Sequence, residues 1–145
     1  DDMNEPITDA VRGILDGHIV LSRKLAQAYH YPAIDVLASI SRLSKRVSGK
    51  MTQKACARIR TLMATYQNNE AAIVSGIYAK GNSPAIDEAI DMHQPIEEFL
   101  TQEEYEPSSM KETLDKLASL SGVEIPETEY VEAPALVVNE PVENE

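Results

Sequence analysis

Between residues 51 and 79 the apolar side chains Ala55, Ile59, Leu62, Met63, Tyr66, Ile73 and Ile77 recur at steps of three and four residues. That is the period of an α-helix with one face buried, and a strand cannot bring those residues to one side. Asn68-Asn69 predicts a bend or break within this helix. The run Ala79-Lys-Gly-Asn-Ser-Pro84 predicts a turn, with Ser83 as the cap of the next helix and Pro84 at its first position. Asp87 and Glu88 then favour the positive helix end. A second apolar stripe follows in Ile86, Ala89, Ile90, Ile96, Phe99 and Leu100. Pro95 predicts a kink or interruption there, because proline removes a backbone donor and clashes with the preceding turn. A last helix starts near Ser109, where Ser109-x-x-Glu112 fits a capping box, and buries Leu114, Leu117 and Leu120. Residues 49–120 therefore read as a small antiparallel helical bundle.

Upstream of Ser48-Gly49 the character differs. Pro6 suits the first turn of a short helix carrying Ile7, Ala10, Val11 and Ile14, which Asp16-Gly17 ends. His18-Ile-Val-Leu21 reads as a short buried strand, the last of a sheet whose other strands are missing. Arg23–Ala28 reads as one or two helical turns, and Pro32 enforces an extended approach to YPAIDVLASISR. Residues 1–48 have the look of the end of an α/β domain. From Ser121 onward the Glu- and Pro-rich composition predicts a disordered tail, with Ala135-Leu-Val-Val138 as a docking motif or a bland linker.

The formal net charge is −11, and the seven glutamates of residues 121–145 supply seven of those eleven charges. This balance disfavours nucleic acid, whose binders carry a basic footprint. The single cysteine, Cys56, excludes an internal disulfide and fits a reducing compartment. It reads as a packed thiol. No apolar run approaches the ~20 residues a membrane span needs, so the expectation is a cytoplasmic, soluble chain. The first residues, Asp1-Asp2-Met3-Asn4, lack an initiator methionine and read as a loop within a longer protein.

The sequence contains no phosphate-binding glycine loop, no CxxC and no HExxH. His18, His30 and His93 are scattered over unrelated elements and read as structural or surface residues. One residue stands apart. Arg42 ends an otherwise apolar segment, followed by Leu43-Ser44-Lys45-Arg46 with no carboxylate to pair it. It is either an ordinary surface arginine or a cation aimed at an anion that another chain supplies.

DDMNEPITDAVRGILDGHIVLSR and HYPAIDVLASISRL resemble the C-terminal portion of the flagellar and type III secretion export ATPases, relatives of the catalytic subunits of F- and V-type rotary ATPases. The resemblance covers residues 1 to about 120 and is densest over 1–43. It implies a mainly α chain: residues 1–48 the C-terminal end of a RecA-like α/β nucleotide-binding domain, residues 49–120 a helical domain, and residues 121–145 an acidic tail. It implies a homohexamer with ATP and Mg2+ held between subunits, mainly by residues outside this chain. Arg42 falls where the family places a trans-acting arginine finger, and Tyr31 where an aromatic ring lies against adenine. Near the position of a second adenine-facing aromatic stands Met110, which puts a two-sided clamp in doubt. Asp1, Asp2, Asn4 and Glu5, and the turn with Lys80, Gly81 and Asn82, correspond to loops facing a coiled-coil stalk protein. The implied partners extend to export substrates, their chaperones and the membrane export gate, at the inner face of the membrane. Without the phosphate-loop lysine and catalytic acids, the chain should not hydrolyse ATP alone. The residues leave open an injectisome or V/A-type rotary subunit, and a helical interaction module without catalytic part. A ring-shaped nucleic-acid motor shares the core, but the acidic balance and the lack of a basic, aromatic channel oppose it.

Overall fold

A computed structural model of the chain describes residues 6–130. Its elements are α1 (Pro6–Ile14), β1 (Gly17–Leu21), α2 (Arg23–Gln27), β2 (Ile34–Ser41), α3 (Ser44–Val47), α4 (Lys50–Val74), α5 (Pro84–Leu100), α6 (Met110–Ser121) and a 3-10 turn at Glu127–Glu129. The chain is thus mainly helical, with one antiparallel pair of strands. The core lies in the helical module. Ala55, Ile59 and Leu62 of α4 meet Ala89 and Ile96 of α5 and Leu114 and Leu117 of α6. These are the three- and four-residue steps read from the sequence, so amphipathic periodicity sets which faces meet.

Local signals explain several ends. Ser109 accepts from the Glu112 N–H while the Glu112 carboxylate accepts from the Ser109 N–H, a complete capping box. Gly122 closes α6 in the left-handed conformation (φ 64°), which a residue with a Cβ adopts at a cost. Pro84 occupies the first turn of α5.

Other expectations need correction. α4 passes through Asn68-Asn69 without a break and stops at Val74 rather than Ala79. The Asn69 amide donates to the Thr65 carbonyl one turn back (2.8 Å), so it shares a ladder acceptor within the helix instead of drawing the backbone into a turn. Pro95 sits inside α5 without interrupting it, beside Ile96, which is buried in the core. Ser83 stands at the cap position, yet its side chain makes no capping bond. Cys56 is exposed, because the neighbouring Ala55 takes the core-facing position of that turn.

The largest difference is at residues 121–130, expected to be disordered. Val123 and Ile125 are buried in the bundle core, and Ser121 is 2% exposed. Tyr130 donates its hydroxyl to Asp115 (2.7 Å), and the Lys111 ammonium lies over its ring at 5.3 Å. The helical module therefore extends past residue 120 to Tyr130. Ala135–Val138 and Asp1, Asp2, Asn4 and Glu5 lie outside the described residues.

Candidate functional site

The sequence-predicted residues Tyr31 and Arg42 fall at opposite ends of β2. The strand is paired to β1 with Gly17 opposite Ser41 and Leu21 opposite Ile34. At its far end the Arg42 N–H donates to the Asp16 carbonyl (2.7 Å), which holds the backbone while the side chain stays exposed. The guanidinium makes no ion pair among the described residues. It borders a recess with Arg12 and His18, and the His18 Nε2 is buried there without a hydrogen-bond partner among the described residues. An exposed guanidinium at a strand end, without an ion pair among the described residues, can donate to the oxygens of an anion in forked geometry.

At the near end Tyr31, half exposed and joined to Pro32 by a cis peptide, borders a recess completed by Gln102, Glu103 and Glu104. The Gln102 N–H donates to the Tyr31 carbonyl (2.8 Å) and seats this segment against the strand. Met110 starts α6 and does not line that recess. The second wall is therefore the segment after α5, which sequence reasoning missed. The available signal was its place directly after the apolar stripe ends at Leu100.

Between these ends, side chains bridge β2 and its flanks to the helical module. The Arg60 guanidinium donates to the carbonyls of Val36 (2.5 Å) and Leu37 (3.1 Å). The His30 Nδ1 meets the Glu97 carboxylate at 3.1 Å, and Lys24 meets Glu70 at 3.7 Å. His93 stacks on Tyr66 with ring centres 3.6 Å apart. His30 and His93 thus serve packing and pairing. Although Cys56 is exposed, crowding by neighbouring groups partly desolvates its thiol and raises the pKa, against the lowering effect of the Arg60 guanidinium, so at neutral pH the thiol is protonated and a weak nucleophile.

The turn with Lys80, Gly81 and Asn82 is built around Asp87. That carboxylate accepts from the Gly81 N–H (2.9 Å) and from the Tyr78 hydroxyl (2.8 Å), and Tyr78 in turn receives the Ser83 N–H (3.0 Å). Lys80 pairs with Asp91, whose hydrogen bond and charge raise the lysine pKa. Val74 and Ile77 project into solvent beside this ordered tip.

Residues 49–119 match the family model of the T3SS EscN ATPase C-terminal domain, and residues 1–41 match that of the ATP synthase alpha/beta family nucleotide-binding domain. The two matches leave residues 42–48 between them, next to the change of character around Ser48-Gly49. The chain corresponds to the C-terminal part of a type III secretion or flagellum-specific ATPase. It is 48% identical over 88% of its length to a type 3 secretion system ATPase of Pseudomonas syringae pv. syringae, and covers 28% of that protein. It is 49% identical over 86% of its length to a flagellum-specific ATP synthase of Bacillus subtilis (strain 168), again covering 28%. A solved structure of the assembled ATPase EscN in complex with its central stalk EscO, from enteropathogenic E. coli, superposes with a TM-score of 0.75. That match is 41% identical and covers 80% of this chain and 29% of the other. The chain thus spans little more than a quarter of the length of the type III secretion ATPases it matches.

Proposed function

We propose that this chain is the coupling end of a ring-forming ATPase that drives type III protein export. The observation that carries this reading is Arg42: exposed, held by its backbone at the end of β2, and without an ion-pair partner among the described residues. In a homohexamer its guanidinium reaches the γ-phosphate of ATP bound by the neighbouring subunit. There it stabilises the charge that spreads over the phosphoryl oxygens during transfer, a contribution of ~10³–10⁵ in rate for fingers of this kind. Tyr31 fits the other end of a nucleotide. Its ring offers a stacking face to adenine in the subunit's own site, with Gln102–Glu104 as the opposite wall. Mg2+ arrives with the triphosphate and takes its ligands from residues beyond this chain.

The ordered tip around Lys80, Gly81 and Asn82 is the surface for a coiled-coil stalk, with Asp1, Asp2, Asn4 and Glu5 as further stalk-contacting residues. The solved relative assembled with its central stalk supports this assignment. Export substrates with their chaperones, and the membrane export gate, are the further partners, met at the cytoplasmic face of the membrane. No described helix is long and apolar enough to cross a membrane. Nucleic acid is not a partner. Flagellar and injectisome use are equally compatible, since relatives from both stand at 48–49% identity.

The test uses the full-length protein in mixed rings. Arg42→Ala rings and rings of a phosphate-loop lysine variant should each be inactive. Mixing them should restore turnover wherever an intact finger meets an intact loop. Near-normal turnover by Arg42→Ala in a formed ring would leave the chain as a coupling and interaction module only.

A further inference from the structure

The pairing of β1 and β2 breaks in one place. His18 lies opposite Ile40 and Val20 opposite Asp35, so Ile19 alone faces the four residues Val36–Ser39. The extra residues form a bulge, a device that bends a strand and re-aims the residues beyond it. Its shape is held from within. The Ala38 N–H donates to the Asp35 carboxylate (2.9 Å), and the Ser39 hydroxyl donates to the Asp35 carbonyl (2.6 Å) and accepts from the Val20 N–H (3.0 Å). The Val36 and Leu37 carbonyls lie outside the paired register, and both are taken by Arg60 of α4. Two charge-assisted bonds from one planar guanidinium fix position and orientation together, which a lysine cannot reproduce.

We infer that Arg60 is a positioning residue for Arg42, an inference that rests on Arg42 being the finger. Arg42 stands five residues beyond Leu37 on the strand that Arg60 holds. α4 carries Arg60 in its first half and leads into the Lys80 turn at its far end, a rod of roughly 37 Å at 1.5 Å per residue. A push on that turn is delivered through α4 to the bulge, and from the bulge to the finger. Contact with a stalk thereby changes turnover at the neighbouring subunit's nucleotide, with no residue of the helical module touching it.

The experiment measures steady-state ATP hydrolysis by full-length Arg60→Ala and Arg60→Lys, with ring formation checked by light scattering. A misplacement of about 1 Å can cost ~10²-fold, so Arg60→Ala should lower kcat by roughly 10- to 100-fold with KM for ATP little changed. Arg60→Lys should fall between Arg60→Ala and the parent. Mixing Arg60→Ala with the phosphate-loop lysine variant should recover turnover, because that variant supplies a correctly held finger to an intact loop. Unchanged kcat in Arg60→Ala overturns the inference while leaving the finger intact. So does a loss that mixing fails to recover, which marks a structural role only. An active Arg42→Ala ring overturns the finger reading itself, whatever Arg60 does.

Discussion

Glu129 grips the first turn of α4 at Thr52, from 77 residues further along the chain. Its Oε2 accepts both the backbone N–H and the hydroxyl of Thr52, each at 2.8 Å, while its Oε1 accepts the Met51 N–H at 3.0 Å. The cap residue Gly49 makes no side-chain capping bond of its own, so a distant carboxylate occupies the anion position that a helix start favours. Those backbone bonds hold the Glu129 pKa below the usual carboxylate value. A lowered folded-state pKa stabilises the fold above the unfolded value, about 4.3, and this stabilisation is lost as pH falls through the folded value. Glu129→Gln should therefore lower the urea midpoint at pH 7. Its difference from the parent should shrink as pH falls through the carboxylate range. Equal midpoints at pH 7 would show that the grip adds nothing.

Gly49 is needed because of that grip. A Cβ there would lie 2.0–2.3 Å from the Cδ, Oε2 and Cγ of Glu129, too close for any contact. Gly49→Ala should destabilise the protein by displacing the carboxylate, and the same change in a Glu129→Ala background should cost much less. A double-mutant cycle on thermal midpoints reads this coupling, and additivity would refute it.

The segment after α6 belongs to the core. Ile125 is 6% exposed. Ile125→Ala should cost about 2–5 kcal/mol in chemical denaturation, the range for a buried isoleucine truncated to alanine. A loss below about 0.5 kcal/mol, the usual spread of surface substitutions, would return the segment to the surface.

In the proposed adenine site, Tyr31 lends its ring to the base. Loss of such stacking costs ~1–3 kcal/mol per base, so Tyr31→Ala should raise the ATP dissociation constant by roughly 5- to 150-fold, with Tyr31→Phe near the parent. Titration with a fluorescent nucleotide separates the outcomes, and equal affinities for all three proteins would remove Tyr31 from the site.

The features legible in the sequence were local. The capping box at Ser109 and the three- and four-residue steps of α4 to α6 are satisfied by neighbours along the chain, so they can be read from it. Cys56 is exposed where a packed thiol is expected, because helix phase gives the core position to Ala55. Asn68-Asn69 carries a small penalty and Pro95 one of about 3 kcal/mol, and burial of a long helix face outweighs them. The ends of β2 were found by resemblance, while the Asp35–Ser39 bulge and its tie to Arg60 join residues 23 and 24 positions apart and leave no local mark. The same holds for Glu129. A Glu-rich stretch reads as solvated until the helix start it serves is in view.

The return of the chain to Gly49 fixes an address. Tyr130 lies near the junction of the two modules, at the opposite end of α4 from the Lys80 turn. A dye or tag attached at Tyr130 would report on the junction, and one placed at Asn82 on the tip. With one attachment at each end, the separation of two labels would show whether α4 moves as one rigid rod during turnover.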